Sequence, residues 1–162
     1  MRIWKLVLSL IVVSLTGCVS VGSLYPVQGP LAETQPQVLK ATYTNFYTGH
    51  GTITLKMPDG EICKGEYSTI SEGMTTFFSG SGMGTGIATG TNTSGSGIVI
   101  TQNDFVNIFG TSFSIKNKQQ GMATLIGDKG TIIVVYYFVD AWTGHGFGIA
   151  KDNKGNLYRV QF

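Results

Sequence analysis

The residues with the clearest capacity for chemistry are two imidazoles and a carboxamide at matching places. The chain holds two histidines. His50 and His145 each stand directly before a glycine, Gly51 and Gly146, and Gln120 stands before Gly121 in the same way. Gathered on one face, His50, Gln120 and His145 would hold a small polar substrate or, with a carboxylate, a divalent cation such as zinc. Two histidines make an incomplete zinc site, and the nearby sequence offers no obvious third ligand. No metal or cofactor is therefore expected. The plainer reading is that all three residues begin strands at a wet edge.

Nucleophilic catalysis needs a nucleophile with an oriented base. The chain contains no G-x-S-x-G elbow, and its many Ser and Thr fall in strand or loop patterns. Asp59, Asp128 and Asp152 sit in glycine-containing turn-like runs, where bonding to their own backbone explains them. A glycosidase pair would require carboxylates brought together in space. The glycine-dense run from Ser79 to Gly97 holds neither G-x-G-x-x-G nor a Walker Gly-Lys-Ser/Thr. Its Gly80, Gly82, Gly84, Gly86 spacing has period two, which suits a strand with one bare face. The expectation is a protein that is not an enzyme.

The elements that would position these residues are written three times. Gly51–Tyr67, Gly121–Tyr137 and Gly146–Phe162 align without a gap. Each opens on Gly, reaches a second Gly at the same offset (Gly60, Gly130, Gly155), and closes on an aromatic. Repetition at this length marks one supersecondary unit used several times. Each copy reads as a β-hairpin: Asp and Asn at the centre bond their own backbone, and the turn glycine accepts positive φ. After the turn, one face carries Cys63, Gly65, Tyr67, then Ile133, Val135, Tyr137, then Tyr158, Val160, Phe162, and is expected to face the core. The opposite face of the middle copy, Ile132, Val134, Tyr136, is also apolar, so that strand is expected to be covered on both sides. Cys63 matches Ile133 and Tyr158 and reads as a small core hydrophobe.

The N-terminus bounds location. Arg2 and Lys5 precede an apolar run, Leu6 to Leu15, which is too short to span a bilayer comfortably. It ends in Leu15-Thr16-Gly17-Cys18, which resembles the bacterial lipobox. That resemblance implies cleavage after Gly17 and a diacylglycerol on Cys18, with residues 1–17 as signal peptide. Val19 in place of Asp implies, by similarity to enterobacterial sorting, the outer membrane, with the domain facing the periplasm. The net charge of +2 is accounted for by Arg2 and Lys5, so the mature chain is balanced and carries no basic signature of a nucleic-acid partner.

From Val19 to Thr42 the three prolines Pro26, Pro30 and Pro36 interrupt any periodicity. Residues 18–42 are therefore expected to be a flexible tether, with Leu24-Tyr25-Pro26 as a segment that either stays in it or docks on the domain. Residues 43–162 are expected to form a single all-β domain, an antiparallel meander of hairpins in a twisted sheet or small barrel. A fourth, degenerate hairpin is expected around Thr91-Asn92-Thr93, returning through Ile98, Val99 and Ile100. Asp104 to Ile115 mixes helical spacing (Phe105, Ile108, Phe109) with alternation (Phe113, Ile115), and is read as strand.

The segment Gly49-His50-Gly51 through Asp59-Gly60-Glu61-Ile62-Cys63-Lys64-Gly65-Glu66-Tyr67 resembles a MORN-type repeat. More broadly, the lipobox, the Leu24–Leu31 segment and this hairpin resemble small proteobacterial lipoproteins of unknown function. The resemblance implies a lipid-anchored envelope protein with a structural or protein-interaction role. The alternative is a small ligand- or metal-binding lipoprotein using His50 and His145.

Overall fold

A computed structural model describes residues 19–44, 49–70, 98, 100–109, 118–140 and 142–162. The expected signal peptide, Cys18 and the glycine-dense segment lie outside the described residues; of the expected fourth hairpin only Ile98 and Ile100 are described, neither in a strand. Eight antiparallel strands form an up-and-down meander that closes into a barrel. They are β1 (Val19–Gln28), β2 (Leu39–Thr44), β3 (His50–Lys56), β4 (Ile62–Ile70), β5 (Lys118–Gly127), β6 (Ile132–Asp140), β7 (Gly146–Asp152) and β8 (Leu157–Gln161). The three repeats are the hairpins β3–β4, β5–β6 and β7–β8. Closure is made by β1, which pairs with β2 on one side and β8 on the other.

That pairing corrects the expected tether. Most of residues 18–42 is structured: β1, a short helix α1 (Pro30–Thr34) and the start of β2. The prolines that argued against structure occupy places where a missing N–H is harmless. Pro26 borders a register shift between β1 and β8, Pro30 opens α1, and Pro36 lies in the loop before β2. Leu24 is buried in the core, so this segment is part of the wall.

The three repeated turns are built alike. The amides of Gly60, Gly130 and Gly155 donate to the carbonyls of Met57, Gly127 and Asp152 at 3.0, 3.2 and 3.3 Å. Each glycine has positive φ, between 81 and 90°, as a short hairpin turn closed in the left-handed region demands. The inward face of each return strand is the apolar one expected: Cys63 and Tyr67, Ile133, Val135 and Tyr137, Tyr158 and Val160 are buried in one core, with Phe162 packed against it. Outward positions on β2 to β4, such as Thr42, Thr52, Lys64 and Glu66, are exposed.

The outer face of β6 and β7 carries a second, smaller core. Here the strand reading of Asp104–Ile115 is corrected for its described part: Gln102–Phe109 is a helix, α2. Thr101 and Asp104 make a capping box, the Thr101 amide donating to Asp104 Oδ2 at 2.7 Å and the Asp104 amide to Thr101 Oγ1 at 3.3 Å. That local bonding decides between helix and strand where apolar spacing alone was ambiguous. Phe105 packs edge-on to Phe138 and Phe109 to Phe147. Val134 and Tyr136 are thereby covered on the outside as expected, whereas Ile132 remains exposed.

Candidate functional site

The strands β2, β4 and β6 and the end of β8 each deliver one aromatic side chain to the same level of the barrel. Tyr43, Tyr67, Tyr137 and Phe162 form a closed ring of edge-to-face contacts, with centroids 6.1, 6.5, 5.7 and 5.9 Å apart around the circuit. Edge-to-face geometry puts the positive rim of one ring against the negative face of the next. Three of the four lie across from the opening glycine of their own repeat. Gly51 pairs with Tyr67 and Gly121 with Tyr137, and Gly146 and Phe162 exchange backbone hydrogen bonds at 2.8 and 3.1 Å. A Cβ at Gly121 or Gly146 would overlap the facing ring, and one at Gly51 would come within 2.9 Å of it. The repeat's first and last residues are thus one device: a bare backbone and the ring laid over it.

The polar edges of this ring are tied down. The Tyr67 hydroxyl donates to the Thr44 carbonyl at 2.6 Å, and the Tyr137 hydroxyl lies 3.1 Å from Thr69 Oγ1. Burial pushes the Tyr137 hydroxyl up to about 12, against a lowering by the Thr69 bond. Beneath the ring is a cavity of about 50 Å³ lined only by glycine, aliphatic and aromatic residues, among them Leu24, Leu55, Leu125 and Val135. Above it the barrel mouth forms a depression of about 400 Å³. Tyr43 and Phe162 contribute to its lining, along with Ser20, Thr69, Gln119, Val139, Trp142 and His145.

The opposite end is sealed by polar groups. Glu61, Thr131 and Asn156 hold the same position in the three repeats, directly after the turn glycine, and all three are buried. Glu61 accepts from the amides of Thr131 and Lys129 at 2.9 and 3.0 Å, from the Thr131 hydroxyl, and from Lys154 Nζ at 3.3 Å. Burial alone would raise its pKa, but these bonds, led by the Thr131 hydroxyl, outweigh burial and hold it at about 2. Asp152 accepts from the Tyr158 hydroxyl at 2.7 Å and from Asn156, whose Oδ1 receives the Leu31 amide. Asp128 and Asn153 each reach back to the preceding repeat, capping the amides of Ile62 and Ile132 at 3.1 and 3.0 Å. Asp59 and Asp152 do the local backbone bonding expected of them, accepting from the amides of Glu61 at 3.0 Å and of Lys154 and Asn156 at 2.9 Å, whereas the Asp128 carboxylate bonds across to Ile62.

The structure does not bring His50, Gln120 and His145 together. All three lie at the mouth end, but β3 and the start of β7 are four strands apart in a barrel of eight, on opposite walls. Strand alternation explains the rest. Gly51 and Gly121 face inward, so the residues before them face out; His50 is exposed, and Gln119 rather than Gln120 lines the mouth. Only His145 of the three reaches the depression. Among the described residues no group of three or more His, Cys, Asp or Glu is placed to hold a metal ion. Cys63 is a free, buried thiol, its pKa pushed up to about 11 by burial and then by the charge of Glu61. No pattern in the sequence singled out Tyr43, which lies outside the repeats, or Trp142, which lies between β6 and β7.

No protein-family model, curated protein or solved structure matches this chain.

Proposed function

We propose that this chain is a lipid-anchored bacterial envelope protein whose barrel is a binding module for a small apolar ligand taken at the mouth. The observation that carries this is the depression of about 400 Å³ at the mouth, whose lining includes Tyr43 and Phe162 of the aromatic ring that also lines the apolar cavity of about 50 Å³. The mouth volume lies within the range of small-molecule sites, which are mostly apolar with a few placed polar groups. Thr69, Gln119 and His145 supply such groups here. An eight-stranded barrel is just wide enough to be filled by side chains or to hold one small ligand. The lipobox supports anchoring through Cys18 in the outer membrane.

The test is titration with N-phenyl-1-naphthylamine, an uncharged fluorescent probe. Saturable one-site binding is expected, weakened at least tenfold by Gln119→Arg, which sets a charge in the mouth at an exposed position. A wild-type protein without saturable binding would end this reading.

One feature favours a structural or protein-interaction role instead. Ile126 is 64% exposed, and its cross-strand neighbour Ile132 and nearby Ile62 are each 40% exposed. They make an apolar patch near the sealed end of the barrel. Loss of a specific envelope crosslink in Ile126→Lys, with probe binding intact, would favour that role over ligand binding.

A further inference from the structure

We infer that the barrel mouth is seated directly on the bilayer surface, with the Trp142 indole in the headgroup region. The inference rests on the reading that Cys18 is lipidated. It follows from where the strands begin. β1 starts at Val19, one residue after Cys18, and that residue is already paired with Thr44. Consecutive Cα atoms are about 3.8 Å apart. A lipid on Cys18 is therefore joined to the barrel wall with no spacer, and the wall end nearest the bilayer is the mouth.

The mouth is furnished for that position. Trp142 is 97% exposed, the extreme among the described large hydrophobics. Its turn is fixed: Asp140 Oδ1 accepts the amides of both Trp142 and Thr143 at 3.0 Å, and the Gly144 amide donates to the Asp140 carbonyl at 2.9 Å. Trp142 borders the same depression as Ser20 on β1, so the indole stands at the anchored end. Val19 and Val21, 61% and 56% exposed, add apolar surface on the anchored strand. An indole has an apolar body and one N–H donor, and settles at membrane–water interfaces.

The chain contains two tryptophans. Trp4 leaves with the signal peptide, so the processed protein carries Trp142 as its sole indole. The experiment reconstitutes the processed, acylated protein in phosphatidylcholine vesicles, part of whose lipid carries bromine at a shallow or a deep acyl position. Co-flotation with vesicles is measured first. The expected result is flotation, blue-shifted emission, stronger quenching by shallow than by deep bromine, and several-fold less quenching by aqueous iodide than in unacylated residues 19–162 expressed without the leader and Cys18, which also hold Trp142 alone. Flotation with an indole fully open to iodide and untouched by bromine would overturn the seating alone, and would point to a protein partner for Trp142. Failure to float would overturn the anchoring reading, and the seating with it.

Discussion

Gly121 and Tyr137 face each other across β5 and β6, and the phenol ring occupies the space where a side chain at 121 would begin. The same pairing recurs at Gly146–Phe162, where the facing ring likewise excludes a side chain, and at Gly51–Tyr67, where the Thr44 carbonyl lies closer still than the ring; at Gly121 and Gly146 the glycine is thus required by its neighbour's ring rather than by its own backbone angles. Gly121→Ala should destabilise the fold by about 1–3 kcal/mol, the usual cost of overpacking a core. Gly121→Ala combined with Tyr137→Leu should cost less than the sum of the two, by about 1 kcal/mol or more, as residues in contact do. Urea midpoints of the four proteins measure this. Strict additivity would show that the ring does not depend on the bare backbone.

Much of this was legible in the sequence, because hairpin repeats state their register openly. The inward series Ile133, Val135, Tyr137 and Tyr158, Val160 is where alternation places it, and the turn glycines have the expected positive φ. The first strand was hidden by its prolines, which are tolerated at a bulge and a helix start. α2 was hidden because its decisive signal is the Thr101–Asp104 capping box, while the apolar spacing fitted both readings. Of the three polar residues expected to share a site, His145 does line the mouth, and Gln120 is one position away from the residue that lines it. Gln119 and Gln120 are chemically identical neighbours, and only the strand's phase, set by Gly121 facing inward, tells which one lines the mouth. Spacing along the chain also could not reveal that equivalent residues of successive hairpins fall two strands apart around a closed barrel.

On the proposed reading, membrane attachment depends on one atom, the Cys18 sulfur. Burying an acyl chain contributes about 0.8 kcal/mol per CH₂, and two chains suffice for stable anchoring. Cys18→Ser should abolish metabolic acyl labelling and leave the precursor uncleaved. Persistent acyl labelling of that variant would remove the site.

The C-terminal strand closes the barrel, since β8 pairs with both β7 and β1. Tyr158 is fully buried and Phe162 belongs to the aromatic ring. Deleting residues 158–162 should leave no cooperative unfolding transition, because each large buried side chain contributes about 1.5–3 kcal/mol and small domains have about 5–15 to lose. Phe162→Ala is the milder test, with an expected cost of about 2–3 kcal/mol because the ring is only partly buried. Calorimetry of the truncated chain showing an unaltered transition would mean the core lies elsewhere.

The sealed end makes stability fall in acid, and the sign follows from Glu61. Burial alone would raise its pKa, but the bonds from Thr131, Lys129 and Lys154 outweigh burial and place it at about 2 in the fold, against 4.5 for a free glutamate. The folded state therefore binds fewer protons than the unfolded state in this window. Its contribution is fully present above pH 4.5 and is lost as the pH falls through about 2. Most of it comes from the fixed donors, not the ion pair: the Lys154 side chain is 47% exposed, and such pairs contribute only about 0–1 kcal/mol. Glu61→Gln keeps the shape but turns an amide N–H₂ toward groups that donate to the carboxylate. It should cost about 1–3 kcal/mol at neutral pH. That deficit should shrink steadily between pH 4.5 and 2, as the wild-type carboxylate is itself protonated. Lys154→Ala should change stability little at any pH. Urea unfolding of the three proteins across this range separates the contributions. A wild-type to Glu61→Gln difference that stayed constant from pH 7 to 2 would show that Glu61 is not held ionised by its neighbours.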